Sequence, residues 1–226
     1  MKRILMVLTS HADMDNTDSK TGVWLGEFTD PYYEFIDAGF DVVLASPKGG
    51  KPPLDPMSLL TEHITGSNRR FQNDEAANRK FDNTQPLEQV KAEEFDGIFF
   101  PGGHGPMWDL AYDEHTGQLI TDALQQKKPV AAVCHGPAAL LAAEAKQPGL
   151  LKGKRLTSFT NTEEALVFRG DNVPYKLETK LKELGADFYS AMVPYASHVE
   201  TDGLIITGQN PLSAGPTAKE MIKALA

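Results

Sequence analysis

Pro129-Val-Ala-Ala-Val-Cys-His-Gly-Pro137 is the stretch of the chain that decides its fold. The segment opens with an unbroken apolar run, which is typical of a parallel strand buried on both faces. Gly136 permits a tight turn and Pro137 suits the first turn of a helix, so a helix is predicted over residues 137–145. The segment therefore predicts a sharp strand-to-helix turn that presents Cys134 above the carboxyl edge of a sheet.

Outward from this segment, buried strands and helical patterns alternate along the chain. Further strands are predicted at residues 4–8, 41–46, 97–101, 155–159 and 204–207. Further helices are predicted at residues 26–38, 116–126, 162–167, 176–184 and 217–225. This alternation indicates an α/β fold, in which an open parallel sheet of at least five strands carries helices on both faces.

One long connection departs from a minimal α/β arrangement. The length of 226 residues suits a single domain, and residues 1–226 are expected to form one. Within it, residues 47–94 form a connection of about 48 residues, far longer than the usual loop between a helix and a strand. This insertion is either a surface excursion with a few solvated helical turns or a lid over the site, because long loops at a sheet edge are often functional.

The composition limits the classes of partner and compartment. The formal net charge of −9 argues against a surface for nucleic acid or anionic membrane, because both are bound by clustered Lys and Arg. A single cysteine excludes an internal disulfide and suits a reducing compartment. No stretch approaches the ~20 apolar residues needed to span a bilayer, and the N-terminal apolar run is too short for a signal peptide. A cytoplasmic protein is therefore expected.

Cys134 is the candidate nucleophile. A free cysteine is usually a small, buried and inert hydrophobe. Here it ends a strand, precedes His135, and lies near a helix N-terminus whose partial positive charge favours the thiolate. The sequence therefore predicts a reactive thiol with a lowered pKa that oxidises readily.

A glycine-rich turn follows the strand predicted at residues 97–101. Phe100-Pro-Gly-Gly-His-Gly105 lies at the same sheet edge as Cys134. Glycines there let backbone N–H groups approach a ligand and form an oxyanion hole, although a plain tight turn has the same composition. No Gly-Lys-Ser/Thr follows, so the turn is not a phosphate loop.

These two motifs, Pro101-Gly-Gly-His-Gly105 and Ala132-Val-Cys-His-Gly-Pro137, resemble the ThiJ/PfpI superfamily. The resemblance covers essentially the whole chain and implies the flavodoxin-like fold of the class I glutamine amidotransferases, a three-layer sandwich. It is similar above all to the branch of heat-inducible chaperones that are glutathione-independent glyoxalases, called glyoxalase III. The stretches that point to this branch are residues 20–24 leading to Glu27, residues 55–58, and residues 157–159 leading to Glu163 and Glu164.

The resemblance implies roles for four side chains. Cys134 matches the nucleophile, His135 its neighbouring histidine, and Glu27 the acid that hydrogen-bonds the cysteine. Glu164 matches the third member of a Cys-His-acid triad, with adjacent Glu163 as the rival. A carboxyl beside a thiolate is pushed toward its protonated form and can shuttle a proton, whereas a carboxylate behind a histidine fixes its tautomer. Each of these acids could equally be an ordinary helix residue.

The glycine-rich turn is assigned by the same resemblance. The backbone N–H groups of Gly103 and His135 would form the oxyanion hole. The His104 side chain would line the substrate pocket. The remaining histidines are scattered without metal-ligand spacing, and neither a metal nor another cofactor is expected.

The activity implied is conversion of a 2-oxoaldehyde such as methylglyoxal to the 2-hydroxy acid lactate, by a glyoxalase III-like hydro-lyase of the D-lactate dehydratase class. A Cys134 hemithioacetal would be the covalent intermediate. Two alternatives remain open: a protein-protective role, as a holdase chaperone binding unfolded clients or a protein deglycase, and a cysteine peptidase or amidase. The resemblance also implies a homodimer.

Overall fold

A seven-stranded sheet organises the structure, a computed structural model that describes residues 1–226. The strands of the chain are β1 (Arg3–Val7), β2 (Asp41–Ser46), β3 (Gln85–Pro86), β4 (Gly97–Phe100), β5 (Val130–Val133), β6 (Arg155–Leu156), β7 (Asp187–Phe188), β8 (Val199–Asp202) and β9 (Ile205–Gly208). The sheet order is β3-β2-β1-β4-β5-β9-β8, and every pair except β8–β9 is parallel. The predicted flavodoxin-like α/β fold is confirmed.

Helices cover both faces of the sheet. They are α1 (Leu25–Asp37), α2 (Gly66–Gln72), α3 (Glu75–Asp82), α4 (Glu114–Gln125), α5 (Ala139–Lys146), α6 (Asn161–Leu166), α7 (Leu177–Glu183) and α8 (Ala214–Leu225). One buried cluster joins the sheet to α4, α5 and α7, and a second joins it to α1, α2, α3 and α8. No helix is both long enough and apolar enough to cross a membrane.

The central strand β1 shows why its apolar run is continuous. Leu5 and Val7 point into the cluster that contains α4 and α5, whereas Ile4 and Met6 point into the cluster that contains α1 and α8. Successive side chains of a strand face opposite sides, so a strand with helices on both faces needs apolar residues at every position.

The strand predicted at residues 155–159 does not join the main sheet. Only Arg155–Leu156 is a strand, and it pairs with β7 in a separate two-stranded sheet. The place beside β9 is taken by β8, which folds back antiparallel through Gly203, where φ is 60°. Asp202-Gly203 is a hairpin signal, because glycine adopts positive φ without a Cβ clash.

The insertion (residues 47–94) packs largely onto the fold rather than standing in solvent. It contains α2, α3 and the edge strand β3. Phe71 and Phe81 are buried, and their ring centroids lie 5.5 and 5.1 Å from that of Phe28 on α1. These helices therefore extend the hydrophobic core.

Candidate active site

A sharp turn between β5 and α5 carries Cys134. The residue has a positive φ of 61°, a conformation that costs a non-glycine residue of order 1–3 kcal/mol and persists only where the surroundings enforce it. Two backbone hydrogen bonds do so: the Cys134 N–H donates to Gly208 O at 2.9 Å, and the Phe159 N–H donates to Cys134 O at 2.9 Å. A Cβ at Gly136 would overlap Phe100 O, so only glycine fits the next position but one.

A chain of side chains leads away from the Cys134 thiol. Cys134 Sγ lies 3.4 Å from His135 Nδ1, and His135 Nε2 lies 2.6 Å from Glu164 Oε2. The Glu164 carboxylate is buried, and although burial alone would raise its pKa, the adjacent His135 and His104 hold that pKa below its usual range. An ionised carboxylate only accepts hydrogen bonds, so Nε2 of His135 carries the proton and its Nδ1 lone pair faces the thiol.

Glu164 serves two histidines. His104 Nε2 lies 2.7 Å from its other oxygen, Oε1, and the two imidazole centroids are 3.9 Å apart. These three side chains offer atoms within 4.8 Å of one another, which is also the spacing of a metal site. Each Nε2, however, already donates to one Glu164 oxygen, so the trio forms a satisfied hydrogen-bonded network rather than a set of free ligand atoms.

Glu163, the rival acid, points elsewhere. It closes a capping box with Thr160 at the start of α6, accepting from the Thr160 N–H at 2.9 Å. Its Oε1 accepts from the Tyr195 N–H at 2.8 Å and from the side-chain amides of Gln209 and Asn210 at 2.9 and 3.0 Å. The structure therefore places Glu164, and not Glu163, against His135.

Glu27 lies on the other side of the thiol, in the first turn of α1. It is fully buried, and neither of its carboxyl oxygens has a hydrogen-bond partner. Burial raises its pKa to about 8, although the neighbouring Cys134 thiol and Gly102 amide act in the opposite direction. A Cβ at Gly102 would overlap Glu27 Oε2 and come within 2.9 Å of Cys134 Cβ, so the carboxyl is pressed against the nucleophile.

The Cys134 thiol does not have the lowered pKa that its sequence context predicts. Burial raises that pKa well above its usual range, and the neighbouring Glu27 raises it further. The side chain is only 4% exposed, so the cost of desolvating a thiolate exceeds the help from the following helix. The resting thiol is therefore neutral, and it needs a base to become a nucleophile.

The backbone amides of Gly103 and His135 face the same cavity. Neither amide donates a hydrogen bond within the protein, and both residues line the pocket. Gly103 has a φ of 93°, which favours glycine. Two free donors beside a nucleophile are what a developing oxyanion requires.

Three stretches of backbone interlock at the rim of this pocket. A Cβ at Gly103 would overlap Gly22 O, and a Cβ at Gly22 would overlap Pro53 O. The Trp24 N–H also donates to Gly102 O at 3.1 Å. The glycine-rich turn, the segment before α1 and the insertion are therefore stacked at van der Waals distance.

The pocket above Cys134 has a cavity volume of about 280 Å³. Its walls are mostly apolar and come from four separate loops as well as from the elements named above. The wall residues that the sequence did not single out for the site are Met57, His63, Phe159, Val167, Arg169, Tyr195, Pro211 and Leu212. Most of them lie in irregular segments, where no periodic pattern marks a residue as functional.

An α/β sandwich with a cysteine at a strand-to-helix turn defines the structural class. The chain belongs to the DJ-1/PfpI family, whose sequence pattern matches residues 20–224. It is 31% identical over 234 residues to the glutathione-independent glyoxalase HSP31 of Saccharomyces cerevisiae, covering 99% of this chain and 98% of that protein. It is 30% identical over 234 residues to glyoxalase 3 of Candida albicans, with the same coverage.

Solved structures agree with these relatives. The crystal structure of glyoxalase III from Candida albicans matches with a TM-score of 0.87 at 27% identity, covering 99% of this chain and 97% of that one. The structure of Rapid Encystment Protein 24 kDa of Francisella tularensis matches with a TM-score of 0.94 at 38% identity, covering 100% of both chains. The resemblance to the glyoxalase III branch is confirmed, and the chain is an enzyme of the DJ-1/PfpI type.

Proposed function

We propose that this enzyme converts a 2-oxoaldehyde, with methylglyoxal as the type substrate, to the 2-hydroxy acid without glutathione. The observation that carries the proposal is the arrangement around Cys134, where a buried Glu27 with a pKa of about 8 lies on one side and the His135–Glu164 pair on the other. Hydrolysis of an amide needs only the second group. Moving hydrogen between two carbons needs an additional acid–base group, and Glu27 supplies it. The names of the relatives point to the same chemistry.

The first step is addition of the thiol to the aldehyde carbon. His135 Nδ1 accepts the thiol proton, and the charge of Glu164 stabilises the imidazolium that forms. The Sγ–C1 bond forms as the carbonyl π bond breaks. The resulting oxyanion is stabilised by the free amides of Gly103 and His135, and it takes a proton from neutral Glu27 to give the hemithioacetal.

The second step transfers hydrogen from C1 to C2. Glu27, now ionised, removes the C1 proton, and the C2 carbonyl oxygen accepts a proton from the His135 imidazolium, which gives an enediol. Glu27 then delivers its proton to C2 while the C1 hydroxyl returns a proton to His135. C1 is oxidised to a thioester and C2 is reduced to an alcohol, so no external oxidant or reductant is used.

The last step is hydrolysis of the thioester. Imidazolium His135 passes its proton to Glu27, which is ionised after the preceding step, and the neutral imidazole then acts as a base toward water. Water adds at C1, the C1–Sγ bond breaks, and the leaving thiolate takes a proton. The products are lactate and neutral Cys134, which restores the resting site. On this basis the enzyme is a hydro-lyase of the D-lactate dehydratase class.

The test is turnover of methylglyoxal by purified protein in the absence of glutathione and added metal, with lactate as the measured product. Cys134→Ser should abolish turnover with the thermal midpoint nearly unchanged, because serine occupies almost the same space but is far less ionised. A peptide and amide panel is run in parallel. Turnover of amides alone would replace the proposal by a hydrolase, and suppression of client aggregation without turnover would replace it by a chaperone.

A further inference from the structure

Two imidazoles compete for one carboxylate in this site. His135 and His104 each direct Nε2 at a different oxygen of Glu164, at 2.6 and 2.7 Å. Only His135 also touches the Cys134 thiol. If His104 were to bind a second proton, its positive charge would neutralise Glu164 and repel an imidazolium whose ring centroid lies 3.9 Å away. The proposed first step therefore needs a device that keeps His104 neutral.

Arg169 occupies the one position from which His104 could bind that proton. It follows α6, is 9% exposed, and its Nη1 lies 3.2 Å from His104 Nδ1. A guanidinium group donates hydrogen bonds and never accepts them. His104 Nδ1 must therefore accept from Arg169, which leaves the only imidazole proton on Nε2, where it faces Glu164.

Asp55 in the insertion holds the guanidinium in place. Its two oxygens lie 2.6 and 3.3 Å from Nη1 and Nη2 of Arg169, and the carboxylate is fully buried. It also accepts from the Thr21 hydroxyl at 3.0 Å. The ion pair is fixed by these contacts, so Arg169 is positioned without using Glu164.

We propose that Arg169 is a positioning residue that keeps His104 neutral, so that Glu164 stabilises the protonated form of His135 alone. This role rests on the proposed function of the Cys134–His135 pair. Arg169 touches none of the reacting atoms and acts through His104.

The surroundings of His104 agree with that role. Burial and then His135 lower the pKa of His104 to about 4, with Arg169 acting in the same direction and Glu164 in the opposite one. The other titratable groups around the cavity are Glu27 on α1, His63 in the insertion and the Cys134 thiol. Burial, His135 and Arg169 disfavour the charged form of His104. Of these three, Arg169 is the one that occupies its free lone pair.

Loss of the guanidinium exposes that lone pair to the cavity. In Arg169→Met, we expect His104 to bind a proton near pH 6 and to take over Glu164. His135 then becomes a weaker base toward the thiol, and the acid limb of the pH profile moves to higher pH. A shift of one pKa unit lowers the rate on that limb by about tenfold.

The experiment compares Arg169→Met, Arg169→Lys and Arg155→Met, the last removing a half-exposed arginine that pairs with Glu200 away from the pocket. The measurements are kcat for methylglyoxal against pH, the pH dependence of Cys134 alkylation by iodoacetamide, and the ¹⁵N shifts of His104. We expect a roughly tenfold loss near pH 6 in Arg169→Met, restoration in Arg169→Lys, whose ammonium also only donates, and no change in Arg155→Met. His104 should gain its second proton only in Arg169→Met.

A second pair of variants keeps the proposal testable if Arg169→Met alone leaves Asp55 buried without a partner and fails to fold. Asp55→Asn combined with Arg169→Met removes both charges, and His104→Gln added to that background removes the competing imidazole. Recovery of the acid limb on adding His104→Gln supports the proposal. A neutral His104 in the variants without Arg169, or an unmoved acid limb, overturns it. Alkylation and ¹⁵N shifts do not depend on methylglyoxal turnover, so failure of the proposed function is recognised separately.

Discussion

Two buried carboxyl groups flank Cys134, and they differ in charge. Glu27 and Glu164 each lie in the first turn of a helix, with exposures of 0% and 3%. Glu27 has no hydrogen-bond partner and a pKa of about 8, whereas Glu164 receives two imidazole N–H groups and has a lowered pKa. Burial is common to both, so the donors decide which acid is charged. The neutral acid can move protons, and the ionised one can stabilise a cation.

Glu27→Gln gives the largest expected effect on this comparison. The amide has nearly the same shape but can neither release nor accept a proton in the C1-to-C2 transfer. We expect kcat for methylglyoxal to fall by ~10²–10⁴-fold. Alkylation of Cys134 by iodoacetamide, which needs no transfer between carbons, should be much less affected. Equal losses in both assays would mean that Glu27 acts on the thiol itself.

Glu164→Gln should reduce kcat less, by about 10-fold to 100-fold, because His135 keeps its place as a base and loses only charge stabilisation. The matched control is Glu163→Gln, the adjacent buried acid. It should lower the free energy of unfolding by about 1–3 kcal/mol through its lost charged hydrogen bonds and leave the pH profile of kcat unchanged. A larger loss of kcat in Glu163→Gln than in Glu164→Gln would reverse the assignment.

The pH dependence of stability should separate the same two acids. The pKa of Glu27 rises from an ordinary 4.5 to about 8 on folding, so the native state binds more protons than the unfolded state between those values. Its contribution is therefore complete below pH 4.5 and is lost as the pH rises through 8, on the order of 4 kcal/mol in total. Urea unfolding across this range should show a shallower fall in Glu27→Gln.

Glu164 has the opposite sign. Because its pKa is lowered on folding, its contribution is present above the ordinary value and is lost as the pH falls below it. Glu164→Gln should therefore remove part of the acid-side loss of stability. If the wild-type curve rose between pH 4.5 and 8, the neutral state of Glu27 would be refuted.

Gly102→Ala gives the smallest and most local effect. The added methyl group would be forced between Glu27 and Cys134. Separating the carboxyl from the thiol costs packing of about 1–3 kcal/mol and should lower kcat without changing the Glu164 side. Gly39→Ala, at a turn where nothing lies within 4 Å of the added Cβ, is the control for the backbone strain of a glycine replacement. A normal kcat in Gly102→Ala would show that the contact is dispensable.

Much of this comparison could be predicted from the sequence, but not its charges. The apolar runs and Gly136-Pro137 predict the turn that carries Cys134, because buried parallel strands and helix starts have local signatures. The raised pKa of the thiol has no such signature, since it depends on how completely distant segments exclude water. The resemblance left Glu163 and Glu164 as alternatives, because neighbouring residues on a helix diverge in direction and only the tertiary structure shows which one meets His135.

Arg169 and Tyr195 were missed for a related reason. Both lie in irregular loops, where neither periodicity nor a motif marks them, and long-range folding brings them to the pocket. The edge strand β8 did have a local signal in Asp202-Gly203, and its hairpin accounts for the wrong placement of residues 155–159.

The interlocked backbones at the pocket rim have a consequence for the motions of the protein. Gly22 is packed against Pro53 on one side and Gly103 on the other, and the Val23 and Trp24 amides bridge the same segments. None of the three can swing outward without breaking hydrogen bonds in its neighbours. Deuterium uptake at residues 22–24, 53–55 and 102–103 should therefore rise together, as a single opening unit whose free energy exceeds that of an isolated loop.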